Sequence, residues 1–439
     1  MANSSEDTSE IKSCLYEDFE EARKAWNGYA PVLEVRIPVQ DLMDPVAQYA
    51  MNAIILFSSG KMSTAQLLNN LMYAEHRRSA SCRAQFEYLR GKALDAGSEY
   101  CKEAEDHLSK AVKLDPSLSD AWSCLGNCFW KKDDLMAAKN CFNLVLKKGP
   151  NKKILCQLSM LERRIAKGSS NEAEAVEESI KHAKDAVSLD VKDGQSWYTL
   201  GNAYLTSFFV TGTWDQSKLR QSLKAYQNAE KDELANSNPD LYFNCATVNR
   251  YLEDYERALK GFQAASLRDP GLHADDEVEK LVKLLARLED AMVNKGRLKA
   301  KKLASLMSSL RPENATDKLK QTNMLALREG LNKGILLLCK SVLSIRHDNP
   351  VPLFYLVVDS EGSFFLLSVY ALRDGVIKDG DSLTLFEPLF RHFEVFWHNK
   401  VYKFSSVRVD FPQQIHVNFK PTSSQDAIFS TIHAEHVPP

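Results

Sequence analysis

The chain has 439 residues, enough for two or three domains of ordinary size. Charged residues make up 26% and hydrophobic residues 44%, the balance of a folded soluble protein. A formal net charge of −2 argues against nonspecific coating of nucleic acid, and no apolar run reaches the roughly 18–20 residues of a membrane span.

The start, Met1-Ala-Asn-Ser-Ser-Glu-Asp, is acidic and lacks the pattern of a secretory or mitochondrial leader, so cytoplasm and nucleus are the expected locations. Residues 1–80 read as a helical segment with a weak pattern, interrupted at Pro31, Pro38 and Pro45. The nine cysteines are scattered. Cys124 and Cys128 share one predicted helix, but no second pair with zinc spacing accompanies them, so no metal or cofactor is expected.

From 81 to 294 the sequence repeats itself. Ala104, Leu108, Ala111 and Pro116 return as Ala138, Phe142, Val145 and Pro150, each 34 residues later. That is the period of the tetratricopeptide repeat, a helix pair that buries its apolar face only by stacking on neighbours. In the most complete copy Trp122, Leu125, Gly126 and Phe129 share a face of the first helix, and Pro150 ends the second. Other copies begin near Tyr88, at Leu155 (degenerate, with Asn171–Glu178 expected as an extended loop), at Trp197 and at Tyr242. The Trp197 copy is lengthened between Thr206 and Arg220. The apolar spacing of Val278, Leu281, Leu284, Leu285 and Leu288 predicts a capping helix over Glu277–Val293.

A basic segment and linker, residues 295–332, follows; it opens on Lys295-Gly-Arg-Leu-Lys-Ala-Lys-Lys302. Residues 333–420 then read as strands. Gly334–Ile345 is apolar, Leu353–Val358 and Ser363–Tyr370 flank an Asp359-Ser-Glu-Gly362 turn, Ser382–Phe386 follows a turn, and Glu394–His398 pairs with Val401–Val409. About five strands without helical spacers suggest a small closed barrel resembling an OB-fold. Phe354, Tyr355, Phe364, Phe365, Tyr370 and Trp397 could stack single-stranded bases, or could fill the core. Residues 421–439 form a tail. The predicted fold class is therefore mainly α with a C-terminal β domain: a tetratricopeptide-repeat α-solenoid followed by an OB-fold-like β-barrel.

No phosphate-binding loop, nucleophile elbow or zinc-protease helix occurs, which points away from an enzyme and towards an adaptor. In such solenoids the first helices line a groove that can hold an extended peptide. Asn127 and Asn202, each five residues after a repeat tryptophan, have the donor and acceptor that suit a peptide amide, or are solvated helix residues. Asp240 could pair a peptide arginine, although Asn238-Pro-Asp also opens a helix. Arg163 could meet an acidic side chain. Lys299 and Lys301 could hold a phosphate-rich partner or serve as an import signal. The chaperone-tail clamp needs first-helix lysines where this chain has Ser123 and Tyr198, so binding of chaperone tails is not expected.

The repeat-then-barrel order, together with Trp197-Tyr-x-Leu-Gly-Asn202, Asn238-Pro-Asp-Leu241, Lys301-Lys-Leu-x-Ser305, Ser309-Leu-Arg-Pro312 and Tyr402-x-Phe-Ser-Ser-Val-Arg-Val409, resembles the tetratricopeptide repeat protein five family, also called Strap, the stress-responsive activator, as a distant homologue. The similarity runs from about Leu89 to Val409. The resemblance implies recognition of the N-terminal peptide of nascent tubulin at the ribosome, leading to decay of tubulin mRNA. It also implies a nuclear stress-response cofactor that joins a histone acetyltransferase, a chromatin coactivator, to transcription factors. By resemblance, Asp240 and Arg163 match the pair that reads the Arg and Glu of the tubulin peptide. Lys299 and Lys301 match a pair that contacts the ribosome. A further acidic residue of the family falls at Ala274, where the adjacent Asp275 or Asp276 could substitute.

Overall fold

In a computed structural model, the described residues are 83–167, 171–212, 215–310, 319–349, 351–370, 372–423 and 425–427. The segment expected over residues 1–80 and most of the 421–439 tail lie outside them. Helices α1 (Arg83–Leu94), α2 (Lys102–Leu114), α3 (Ser119–Lys131), α4 (Leu135–Leu146) and α5 (Lys152–Ala166) come first. The chain divides into two compact units within α5, one ending at Leu161 and the other running from Glu162.

In the first unit small residues set the distance between paired helices. A Cβ on Gly91 would stand 2.6 Å from the Leu108 side chain, and one on Gly126 2.5 Å from the Phe142 ring. Ala104, Leu108, Ala111, Ala121 and Cys128 are fully buried in one cluster. Buried Glu87 pairs with Lys110 and, at 2.6 Å, with the His107 imidazole, so a carboxylate inside the α1–α2 pair keeps its partners.

The second unit opens with α6 (Glu172–Leu189), α7 (Gly194–Val210), α8 (Gln216–Ala229), α9 (Pro239–Tyr251), α10 (Tyr255–Arg268), the capping helix α11 (Ala274–Val293) and α12 (Ala300–Ser308). The acidic stretch expected as a loop is instead the first two turns of α6. Glu172 and Glu174 sit in its first turn, where the helix dipole favours carboxylates, and Val176, Ser179 and Ile180 already face the core. The longer Trp197 copy is explained by α7, which runs 17 residues and carries Phe208 and Phe209 into a cluster with Tyr251. The close-approach rule recurs, since a Cβ on Gly201 would lie 2.4 Å from the ring of fully buried Tyr226. Gly201→Val is therefore expected to cost about 1–3 kcal/mol by overpacking. A lower urea midpoint at unchanged m-value checks this, and an unchanged midpoint contradicts it.

Ten strands follow among the described residues: β1 (Lys320–Thr322), β2 (Gly330–Leu331), β3 (Ile335–Ile345), β4 (Leu353–Asp359), β5 (Phe364–Val369), β6 (Ser382–Phe386), β7 (Leu389–Trp397), β8 (Lys400–Val409), β9 (Ile415–Val417) and β10 (Lys420–Pro421). They make one sheet in the order β10-β9-β6-β3-β4-β5-β8-β7-β2, with β1 parallel to the start of β3. The first half of β3 pairs with β6 and the second with β4, with an irregularity between Ser341 and Leu343, so a single long strand curls the sheet. The hydrogen-bonded path does not close among the described residues. The expected barrel is a half-barrel, and the strands missed in the sequence are the two- and three-residue ones.

The sheet is buried on both faces. Leu337, Cys339, Tyr355, Val357, Phe365 and Leu367 fill the concave core. The alternate residues Phe354, Leu356, Val358, Phe364 and Leu366 pack instead with Tyr255, Phe262, Leu281, Leu285 and Leu288 of α10 and α11. This accounts for strands that read as continuous apolar runs rather than as alternation. Phe393 stacks on Phe404 at 4.9 Å and meets Tyr255 at 5.4 Å. The six aromatics considered as a base-stacking platform are all core residues, each 9% exposed or less.

A polar seam joins the same two layers. Arg408 of β8 donates to the Tyr251 carbonyl at 2.7 Å and to Asp410 at 2.8 Å, and its guanidinium lies 3.8 Å from the centre of the Tyr370 ring. Arg391 donates to the Leu252 carbonyl at 2.7 Å, and the Tyr370 hydroxyl donates to buried Glu253 at 3.2 Å. The turn after α9 is thereby tied to β7 and β8. Among the described residues no helix is long and apolar enough to cross a membrane.

Candidate functional site

Within the second unit three of the sequence candidates, Arg163, Asn202 and Asp240, bear on Tyr198. Asp193 caps α7 by accepting from the Ser196 amide at 2.9 Å, and this sets the helix so that Tyr198 and Asn202 lie one turn apart. On the facing helix Asn244 donates its amide to the Tyr198 hydroxyl and to Asn202 Oδ1, both at 3.2 Å. The Tyr226 hydroxyl donates to the same Asn202 oxygen at 2.6 Å.

Two opposite charges act on this line. Arg163, near the end of α5 and largely buried, donates to Ser179 Oγ and to the Thr199 carbonyl, each at 3.4 Å. Asp240 sits in the first turn of α9, placed there by Pro239 and by Asn238, whose side chain accepts from the Asp240 amide at 3.0 Å. Burial pushes the Tyr198 phenol up to about 12; Asp240 adds to the rise and Arg163 opposes it, so both charges act on one hydroxyl. Asp240 is itself raised, first by the burial its carboxyl has and then by Asp269. A carboxylate held above its usual range gains most from a cation brought beside it.

Arg163 and Asp240 thus both act electrostatically on Tyr198, and Asn202 is joined to the same hydroxyl through Asn244. Asn127, the sequence counterpart of Asn202, belongs to the first unit; it is half-buried and accepts from Gln157 at 2.7 Å. The two asparagines differ because their neighbours do. The ring against Gly126 is Phe142, without a hydroxyl, whereas the ring against Gly201 is Tyr226, whose hydroxyl encloses the Asn202 amide completely.

Asp275 is exposed in the first turn of α11 beside Asp276, with buried Ala274 starting the helix. Lys299 and Lys301 are on a separate element. Lys299 caps α12 and Lys301 lies in its first turn, both exposed and without an ion pair among the described residues. Asn244, nearer to solvent than Asn202, went unrecognised in the sequence because its repeat opens on Tyr242 rather than tryptophan. It lies two residues after that aromatic, where the other copies have Cys124 and Thr199, so the repeat pattern carries no signal for it.

Residues 318–431 match the family model described as the tetratricopeptide repeat protein 5 OB fold domain. The chain is 40% identical over 374 residues to the tetratricopeptide repeat protein 5 of Mus musculus, covering 81% of this chain and 84% of that protein. It is 39% identical over 374 residues to that of Homo sapiens, with the same coverages of 81% and 84%. Among solved structures, a thermophilic TPR protein of Thermus thermophilus aligns at 15% identity and a TM-score of 0.38, covering 45% of this chain and 98% of that one.

Proposed function

Because the chain belongs to the tetratricopeptide repeat protein 5 family, we propose that it is a non-catalytic adaptor whose repeats hold a protein segment, and that this segment is the N-terminal peptide of nascent tubulin. The observation that carries the reading is the pair of opposite charges acting on Tyr198: Asp240 on one helix start and Arg163 on another helix end. A peptide with arginine followed by glutamate offers the complementary pair, and charge-assisted hydrogen bonds supply the selectivity. Asn244 supplies an amide beside the same hydroxyl. In this reading Lys299 and Lys301 hold ribosomal RNA phosphate, and the decay of the tubulin message follows from that placement.

The raised carboxyl of Asp240 gives the reading a pH signature. A peptide arginine binds the ionised form, so affinity is full above the raised pKa and falls as pH drops through it. In the free protein the sign is opposite: ionising a carboxyl whose folded pKa is raised opposes folding, so the penalty grows as pH rises past the unfolded value. Peptide titrations across the acidic range are expected to lose affinity on acidification more steeply in the wild type than in Asp240→Asn, where only the peptide glutamate facing Arg163 is left to titrate. Equal slopes in both proteins would assign the titration to another group.

For the ribosome contact, Lys299→Glu combined with Lys301→Glu is expected to abolish co-sedimentation of the full chain with ribosomes. The wild-type interaction should weaken steeply with added salt, because neutralised phosphates release counterions. Co-sedimentation that survives both substitutions would contradict the assignment, while leaving peptide binding in the groove untouched.

A further inference from the structure

The second half of α11, the turn after it and the end of β3 enclose a cleft of about 450 Å³. Its floor is aliphatic, from Ala286, Ala291, Leu343 and Ile345. Leu343 is 38% exposed, an open apolar surface rather than a sealed one. Three guanidinium groups stand around this floor. Arg287 is fixed by donating to the Arg346 carbonyl at 2.8 Å, whereas the side chains of Arg297 and Arg346 have no hydrogen bond or ion pair among the described residues. The carboxylate on the wall, Asp290, is already engaged by the Asn294 amide at 2.6 Å.

The wall that carries Arg297 is unusual. Lys295, Gly296 and Arg297 have consecutive φ values of 48, 60 and 55°, a left-handed turn that residues with a Cβ adopt reluctantly. Packing fixes it: Gly296 approaches the sheet so closely that a Cβ there would lie 3.2 Å from Leu356 and 3.3 Å from Val342. The Arg297 amide closes the turn on the Asn294 carbonyl at 2.7 Å. Backbone strain maintained at the rim of a cleft, with an unengaged arginine on the strained residue, is the arrangement of a preorganised anion contact.

We propose that this cleft binds an acidic, aliphatic segment of a partner protein: one aliphatic side chain on the floor, with flanking carboxylates on Arg297 and Arg346. The lining favours this over a nucleic acid. Base recognition on a single strand uses aromatic stacking, and no aromatic residue lines the cleft. A phosphate backbone needs no apolar floor. A side chain with an aliphatic body and a neighbouring carboxylate uses both features, with bidentate arginine contacts supplying direction.

The test uses the full chain and a fluorescein-labelled peptide, Glu-Glu-Asp-Leu-Ile-Asp-Glu-Glu, read by fluorescence polarisation. Saturable binding is expected, weakened at least tenfold by Arg297→Glu, by Arg346→Glu and by Leu343→Asp, and unchanged by Arg163→Glu in the repeat groove, each in a variant that melts like the wild type. On the wild-type protein, the peptide with Gly-Gly in place of Leu-Ile is expected to bind at least tenfold more weakly, a result that needs no variant to fold. The proposal is overturned if the peptide does not saturate, if the Gly-Gly peptide binds as well, if an Arg163→Glu variant that melts like the wild type loses binding, or if an oligouridylate of equal charge binds at these arginines while the peptide does not.

Discussion

Replacing Arg408 with alanine is expected to destabilise the second unit by about 3–5 kcal/mol, the effect of breaking a buried ion pair by removing one partner. Arg408 is 3% exposed and Asp410 9%. Burial alone works against its charge, but Tyr370, Asp410 and Glu253 around it hold it protonated. Its removal strips Asp410 of its guanidinium partner and the Tyr251 carbonyl of its donor, and takes the guanidinium from the face of the Tyr370 ring. Because these contacts bridge the turn after α9 and strand β8, the loss uncouples the half-barrel from the last repeat. Chemical denaturation of the variant followed by far-ultraviolet circular dichroism is expected to show an early transition absent from the wild type. Adding Asp410→Asn to an Arg408→Met background should recover part of the stability, since the orphaned charge is then gone. A single transition at the wild-type midpoint would mean that the apolar layer of Phe262, Leu285, Leu356 and Phe404 suffices to hold the two layers together.

Charge substitution at the groove is the second large effect expected. Asp240→Lys should lower affinity for a peptide beginning Met-Arg-Glu by at least tenfold, since hydrogen bonds to charged groups contribute about 1.5–3 kcal/mol and repulsion adds to the loss. Asp240 is exposed as a residue at a helix start, although its carboxyl is partly desolvated, so the fold should tolerate the change. Arg163→Glu should be equally damaging to binding, but it also alters a largely buried residue held by Ser179 and Thr199, so its melting curve has to accompany the titration. The two sites act on different peptide positions. Asp240→Lys should therefore lose preference at the second residue and Arg163→Glu at the third, a distinction that a merely unfolded variant would not reproduce.

Much of this was legible because it is periodic. The 34-residue spacing forces helix pairs, and the glycines at 126 and 201 mark where an aromatic ring from the second helix must fit. Arg163 and Asp240 can be named as candidate charges from the sequence, but their shared neighbour cannot. Tyr198 entered the sequence reading only as the absence of a lysine, although its hydroxyl is the group on which both charges act. Asn127 and Asn202 looked equivalent and are not, because the difference lies in one hydroxyl, on Tyr226 and not on Phe142.

The docking of the half-barrel on α10 and α11 had a faint signal. Phe354 and Phe364 alternate with Tyr355 and Phe365 in strands too apolar for a single buried face. Arg408 had none, since its carbonyl partner on Tyr251 is 157 residues away. The left-handed turn in the basic run was equally hidden, because only Gly296 of its three residues has a side chain suited to that conformation. The acidic start of α6 was misread because a run of glutamates resembles a solvated loop until its place at a helix N-terminus is known.

The most direct test of the groove reading is a titration of the full chain with two fluorescent peptides of one composition, one beginning Met-Arg-Glu and the other Met-Glu-Arg, each extended to tubulin-like length. Saturable binding of the first, with the second at least tenfold weaker, is the result that Asp240 and Arg163 acting on Tyr198 require. Equal affinity for both peptides, or no binding by protein that melts as a folded chain, would contradict it.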